Sequence, residues 1–290
     1  MNRLLAVARL TRIEHSIMLA IAVITGELVA GGIPDMQRLI LSLVTPIFIS
    51  MGSFAINDYY DVATDKANRR FDRPIVAGAI SKRSALTMSV LFFVIGVLAS
   101  LPLGYAPFMI ALAFAALAWL YSYRLKEILL VGNVYIALSM VIPFIYGNAV
   151  VSASLDMVVV LISVTIFLSG LAREIHGMIR DFEGDTSVRK IKNLPYYVGA
   201  RWSGIVAFLL YIEAIAFSVF IFAYRVPYAH NLVYIAPIAI IDVILLYNSF
   251  IYLGQKATRK LYLLSRNISL GSMAAALIVF LVSAVLYIPI

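Results

Sequence analysis

The chain alternates between long apolar runs and short polar intervals at a spacing that predicts membrane-spanning helices. Runs of about 20 residues, the length an α-helix needs to cross the hydrocarbon core, lie near 13–32, 36–56, 82–101, 104–123, 128–150, 155–177, 202–224, 231–253 and 266–288. The polar intervals test that division, because Lys and Arg collect on the cytoplasmic side of a membrane protein. They fall at Arg3, Arg9 and Arg12, at 66–83, at Arg124 and Lys126, at 173–201 and at 256–266. Of the 23 basic residues only Arg38 and Arg225 fall on the alternate intervals. Nine spans with the N-terminus inside and the C-terminus outside satisfy this alternation. The expected architecture is therefore all-α, a polytopic bundle of nine transmembrane helices with a cytoplasmic-side cavity. It forms one domain over 1–290 with two weakly repeated halves, about 1–127 and 128–290.

Composition agrees. The chain is 63% hydrophobic and 13% charged, with a mean hydropathy of +0.97, against about 25% charged residues in a soluble domain. The absence of cysteine excludes disulfides, thiolate metal sites and cysteine nucleophiles. A net charge of +8 is explained by loops that face anionic headgroups or an anionic substrate. It calls for no nucleic acid, and no protein partner is inferred. His15, His176 and His230 lack metal-ligand spacing. Glu27, Glu213 and Asp242 fall inside predicted spans, where a carboxylate is costly.

Two acidic clusters interrupt this apolar sequence, Asn57-Asp58-Tyr59-Tyr60-Asp61-Val62-Ala63-Thr64-Asp65 and Asp181-Phe182-Glu183-Gly184-Asp185. As helix, Asn57, Asp61 and Asp65 repeat at i, i+4 and i+8, Asp58 joins them at i+3 and i+7, and Asp181 and Asp185 are one such step apart. Like charges at that spacing repel, so a cation is expected to compensate them. Hard oxygen ligands favour Mg²⁺ shared with a substrate phosphate. Both clusters fall on the inner side, in the two longest intervals, and cations follow each. A transporter, the competing class, places ionisable residues near the midplane on broken, repeat-related helices, and Pro102, Pro107, Pro143 and Pro227 show no such pairing.

These residues resemble the UbiA superfamily of intramembrane prenyltransferases over nearly the whole chain. The first signature, N-D-x-x-D-x-x-x-D, stands as Asn57, Asp58, Asp61 and Asp65, and the second, D-x-x-x-D, as Asp181 and Asp185. The run Asn68, Arg69, Arg73, Pro74, Gly78, Ile80 and Ser81 is similar to that of the archaeal ether-lipid branch, as are Arg173-Glu174-Ile175 and Leu194-Pro195. Arg70 stands where that branch usually has proline, and Ile13 and His15 replace Pro and Asn of a first-helix R-P-x-N. The resemblance implies that Asn57, Asp58, Asp61, Asp65, Asp181 and Asp185 hold Mg²⁺, with Asp61, Asp181 and Lys126 as catalytic residues. It implies a prenyl diphosphate donor, geranylgeranyl diphosphate by analogy. Expected diphosphate contacts are Arg12, Arg69, Arg73, Lys126, Arg180 and Lys192, and Tyr60 and Tyr146 are the candidates for an acceptor or carbocation pocket. The expected acceptor is geranylgeranylglyceryl phosphate, with 4-hydroxybenzoate as the alternative.

Overall fold

The structure is a computed structural model that describes residues 3–67, 69–187, 192–253 and 258–287, with the side chains at 3, 14, 183–187 and 259 left aside. Among the described residues every regular element is a helix. The helices are α1 (Arg3–Thr11), α2 (Ile13–Ala30), α3 (Met36–Ala67), α4 (Lys82–Ser100), α5 (Tyr105–Tyr123), α6 (Val131–Val151), α7 (Met157–Ser187), α8 (Leu194–Tyr224), α9 (Leu232–Ser249) and α10 (Arg259–Val285). Eight of them are long and apolar enough to cross a membrane, and the bent pair α1–α2, at 52°, supplies a ninth crossing if counted as one span. This is the multi-pass membrane architecture the hydropathy pattern predicts.

Helices α3 and α7 run further than their apolar stretches at their C-terminal ends. The 32 residues of α3 and the 31 of α7 extend about 48 and 46 Å at 1.5 Å per residue, against a hydrocarbon core of about 30 Å. Their surplus turns carry the two acidic clusters, which sit on continuous helix and not in the loops that hydropathy suggested. Antiparallel succession puts the ends of α3, α5 and α7 and the starts of α4, α6, α8 and α10 at one end of the bundle. α3 packs on α4 as α7 packs on α8, α6 packs on both α2 and α7, and α10 returns to α2 to close the bundle.

Without a hydrophobic driving force between helices in lipid, close packing falls to small residues. At the α2–α6 crossing, a Cβ on Gly26 would meet the Phe144 carbonyl oxygen at 2.3 Å, and one on Gly147 the Val23 oxygen at 2.2 Å. The two basic residues that broke the loop alternation are explained at the other end. Arg38 donates to the carbonyls of Leu103 and Val150 at 3.1 and 2.6 Å, while Arg225 pairs with Asp156. Both cations close helix ends there. Large apolar side chains such as Leu98, Leu209 and Val243 are exposed on the outer surface, as a lipid-facing surface requires.

Candidate active site

The segment between α3 and α4 is the device that completes the first acidic cluster. Pro74 begins a set of turns in which Ala79 and Ile80 donate to its carbonyl, and Ile75 and Ile80 bury against Ala6, Leu10, Ala55 and Ala85. Ser81 then caps α4, accepting from the Ser84 amide at 3.0 Å. Folded back in this way, the segment delivers Arg73 to the carboxylates. Arg73 Nη1 donates to Asp58 Oδ1 at 3.0 Å, and its Nε lies 3.9 Å from Asp65 Oδ2.

Arg12 arrives from a separate element. It occupies the left-handed region at φ 46°, between α1 and α2, a conformation that disfavours a non-glycine residue by roughly 1–2 kcal/mol. Two contacts offset that strain. Its Nη2 donates to Asp58 Oδ1 at 3.0 Å, and its guanidinium lies 4.4 Å from the Phe54 ring centroid. Asp58, only 2% exposed, thus receives two arginines on one oxygen, while its Oδ2 is buried without a hydrogen-bond partner. One helical turn on, Asp61 accepts from Asn57 Nδ2 at 3.0 Å and from Lys126 Nζ at 2.5 Å. Lys126 stands on the short 3-10 turn Leu125–Glu127 that joins α5 to α6, so it reaches Asp61 from a third element.

The second cluster lies on α7. Asp181 is held by Arg180 through both oxygens, at 2.8 and 2.5 Å. The Asp185 side chain lies outside the described residues. Beside Asp181 opens a cavity of about 270 Å³ between α6, α7 and α10, whose walls include Asn133, Arg173, Glu174, Arg180, Asp181 and Arg266. Glu174 accepts from Arg173 at 3.2 Å and from Asn133 at 3.5 Å. His176 stacks on Tyr252 at 3.8 Å and shares a hydrogen bond with Ser249, which makes it a packing residue. Arg70 carries the electrostatic link between the clusters, because its charge acts on Asp58 and Asp65 and also on Arg266. Arg70 also grips both oxygens of exposed Asp72 at 3.0 Å, and that hydrogen bonding holds the Asp72 carboxyl below the usual range.

The expected residues divide by place. Asn57, Asp58, Asp61, Asp65, Arg12, Arg73 and Lys126 form one connected group. Arg180 and Asp181 form a second. Arg69 is exposed and has no ion pair among the described residues. Lys192 lies over the Tyr196 ring at 5.3 Å. Tyr60 packs edge-on to Tyr59 and against Tyr123 beside the first cluster. Tyr146 does not join them: it is fifteen residues into α6, about 22 Å of helix from its acidic-end start, buried in the apolar cluster with Val23, Ile49 and Val150. Sequence reading passed over Arg173, Glu174 and Arg266 as cavity residues. The signal was present for the first two, which are ionisable residues inside a predicted span.

Among the described residues, no three acidic or histidine side chains already converge as a metal site. The carboxylates are instead compensated by Arg12, Arg73, Lys126 and Arg180. The donor set nevertheless fits Mg²⁺. It consists of hard oxygens on helix ends, and the buried, unpartnered Oδ2 of Asp58 is a free lone-pair donor within it.

A bundle of membrane helices whose acidic extensions meet arginine and lysine at one end defines the intramembrane prenyltransferase class. The chain belongs to the UbiA prenyltransferase family, whose model matches residues 18–271. It is 33% identical to a digeranylgeranylglyceryl phosphate synthase of Archaeoglobus fulgidus, over 96% of this chain and 95% of that one. A solved structure described as giving structural and mechanistic insights into digeranylgeranylglyceryl phosphate synthase in membranes has a TM-score of 0.79 and 25% identity, covering 98% of this chain and 99% of that one. A UbiA homolog from Archaeoglobus fulgidus, solved bound to GPP and Mg²⁺, has a TM-score of 0.66 and 20% identity, over 95% of this chain and 99% of that one. This protein is a membrane prenyltransferase.

Proposed function

We propose that the protein transfers a geranylgeranyl group from geranylgeranyl diphosphate to the free hydroxyl of geranylgeranylglyceryl phosphate, forming the second ether of an archaeal membrane lipid. The observation that carries the reading is the convergence of Arg12, Arg73 and Lys126 on the first acidic cluster. Those three cations come from three separate elements, and their shared partners are the carboxylates of the motif. Identity to the synthase of Archaeoglobus fulgidus over nearly the full length supports the acceptor. The pairing of α3 with α4 and of α7 with α8 supports two repeated halves, each bringing one acidic motif. The inner end of the bundle is read as cytoplasmic from the basic loops.

In the reaction the allylic carbon–oxygen bond of the donor breaks, and both its electrons leave with the diphosphate. The acceptor oxygen attacks the allylic cation, the new ether bond forms, and the hydroxyl proton is released. Asn57, Asp58, Asp61, Asp65, Asp181 and Asp185 would hold Mg²⁺, which supplies Lewis-acid neutralisation of the diphosphate charge. Arg12, Arg73 and Lys126 stabilise the charge that develops on the leaving group, and their placement by rigid elements preorganises that stabilisation. With Asp58 and Asp61 engaged in holding the metal, these three cations would be free for the diphosphate. Tyr60 offers a π-face to the cation, and apolar walls keep water from quenching it. The test is a competition: purified protein, Mg²⁺ and geranylgeranyl diphosphate with geranylgeranylglyceryl phosphate and 4-hydroxybenzoate together. The lipid ether is the expected product, and preferential prenylation of the aromatic acid would overturn the acceptor.

A further inference from the structure

Among the described residues, the cavity between α6, α7 and α10 gathers more arginines than carboxylates. Three arginines, Arg173, Arg180 and Arg266, stand against Glu174 and Asp181. Both acids are already engaged, Glu174 by Asn133 and Arg173 and Asp181 by both ends of the Arg180 fork. Arg266 has no ion pair among the described residues; Arg173 and Arg180 repel it, and Asp181 attracts it from a distance. The Nε of Arg173 is likewise buried with no hydrogen-bond partner. A half-buried cluster of like charges with unused donors is unfavourable unless an anion enters it.

Chemistry narrows the anion. The cavity of about 270 Å³ is lined mainly by charged and polar side chains, a setting for a phosphate and not for an isoprenoid chain. Two guanidinium forks suit the three terminal oxygens of a phosphate monoester, which accepts parallel charge-assisted hydrogen bonds. The donor diphosphate has its own cations at Arg12, Arg73 and Lys126 on the α3 side. Arg70 acts electrostatically on Asp58 and Asp65 in the first group and on Arg266 in the second.

We infer that this cavity binds the phosphate of the acceptor lipid, with Arg173 and Arg266 as its forks and Asn133 and Ser269 lining it, while Arg180 orients Asp181. The inference rests on the proposed ether-forming reaction and names where its acceptor is recognised. It separates the two substrates electrostatically. The donor is held through metal on the two acidic motifs, whereas the acceptor phosphate is held by arginines that ligate no metal, so its binding persists when metal is removed.

The experiment measures binding of radiolabelled geranylgeranylglyceryl phosphate to the full chain in phosphatidylcholine nanodiscs containing EDTA. Wild type should bind it and discriminate against the dephosphorylated alcohol. Arg266→Gln should lose about ten- to hundredfold of that discrimination, the scale of one charged hydrogen-bond contact, and Arg266→Lys should fall between. The KM for geranylgeranyl diphosphate, measured with Mg²⁺, should stay at the wild-type value in Arg266→Gln. Inorganic phosphate should displace the labelled lipid from the unaltered protein, which reads the site without any substitution. Discrimination retained in Arg266→Gln, no displacement by phosphate, or a loss confined to donor affinity would each overturn the inference. Ether formation by wild type alongside such a result would leave the proposed function standing. Phosphate-dependent binding through Arg266 without ether formation would refute the reaction and keep the site.

Discussion

Asp58 is the residue on which the first cluster closes, and replacing it with asparagine tests that arrangement. One of its oxygens accepts from both Arg12 and Arg73 at 3.0 Å, and its side chain is 1% exposed against 22% and 19% for theirs. Removing one partner of a buried ion pair destabilises by about 3–5 kcal/mol, because the remaining charge is left uncompensated. The one-fifth exposure of both guanidiniums argues for the lower end, about 3 kcal/mol. Asp58→Asn should therefore lower the thermal midpoint of the purified protein and abolish turnover. Adding Arg73→Gln removes one of the two stranded cations, so the double variant should lose less stability than the two single losses combined, by about 1 kcal/mol or more. Turnover should not return, since both groups serve the diphosphate site. The assay is thermal unfolding of single and double variants in one detergent. Strictly additive losses, or an Asp58→Asn protein as stable as wild type, would refute the reasoning.

Three further outcomes follow from the same geometry. Activity should vanish in EDTA and return with added Mg²⁺, read by product formation, and full turnover in chelator would exclude the metal from the reaction. Lys126→Met should reduce kcat/KM for the prenyl diphosphate about ten- to hundredfold, the scale of one charged hydrogen bond, and unaltered kinetics would remove Lys126 from the site. Gly147→Leu should destabilise the protein, because a Cβ there already meets the Val23 oxygen at 2.2 Å; an unchanged unfolding midpoint would show that α2 and α6 separate freely.

How much the sequence reveals differs by element. The spans and the acidic motifs are legible because each is written in a local period, about 20 apolar residues for a crossing and four-residue steps for one helical face. Hydropathy reports where lipid ends and not where helix ends, so the extensions of α3 to Ala67 and α7 to Ser187 look like loops in the sequence. The bend at Arg12 is silent for a different reason: no glycine or asparagine marks its left-handed backbone. The depth of Tyr146 is legible from its position near the far end of the 128–150 run, whereas its apolar neighbours from α2 and α3 are not. Arg266 looks like an ordinary interfacial cation because its cavity is assembled from α6, α7 and α10, which are far apart in sequence.

The central claim is that the two acidic motifs, one from each half, act together on the prenyl diphosphate. Its most direct measurement is the rate of digeranylgeranylglyceryl phosphate formation from geranylgeranyl diphosphate and geranylgeranylglyceryl phosphate by wild type, Asp61→Ala and Asp181→Ala, each confirmed as a single folded species after extraction. Wild type should form the product in Mg²⁺, and each variant should be slower by orders of magnitude. Turnover at the wild-type rate in either variant would contradict a shared site.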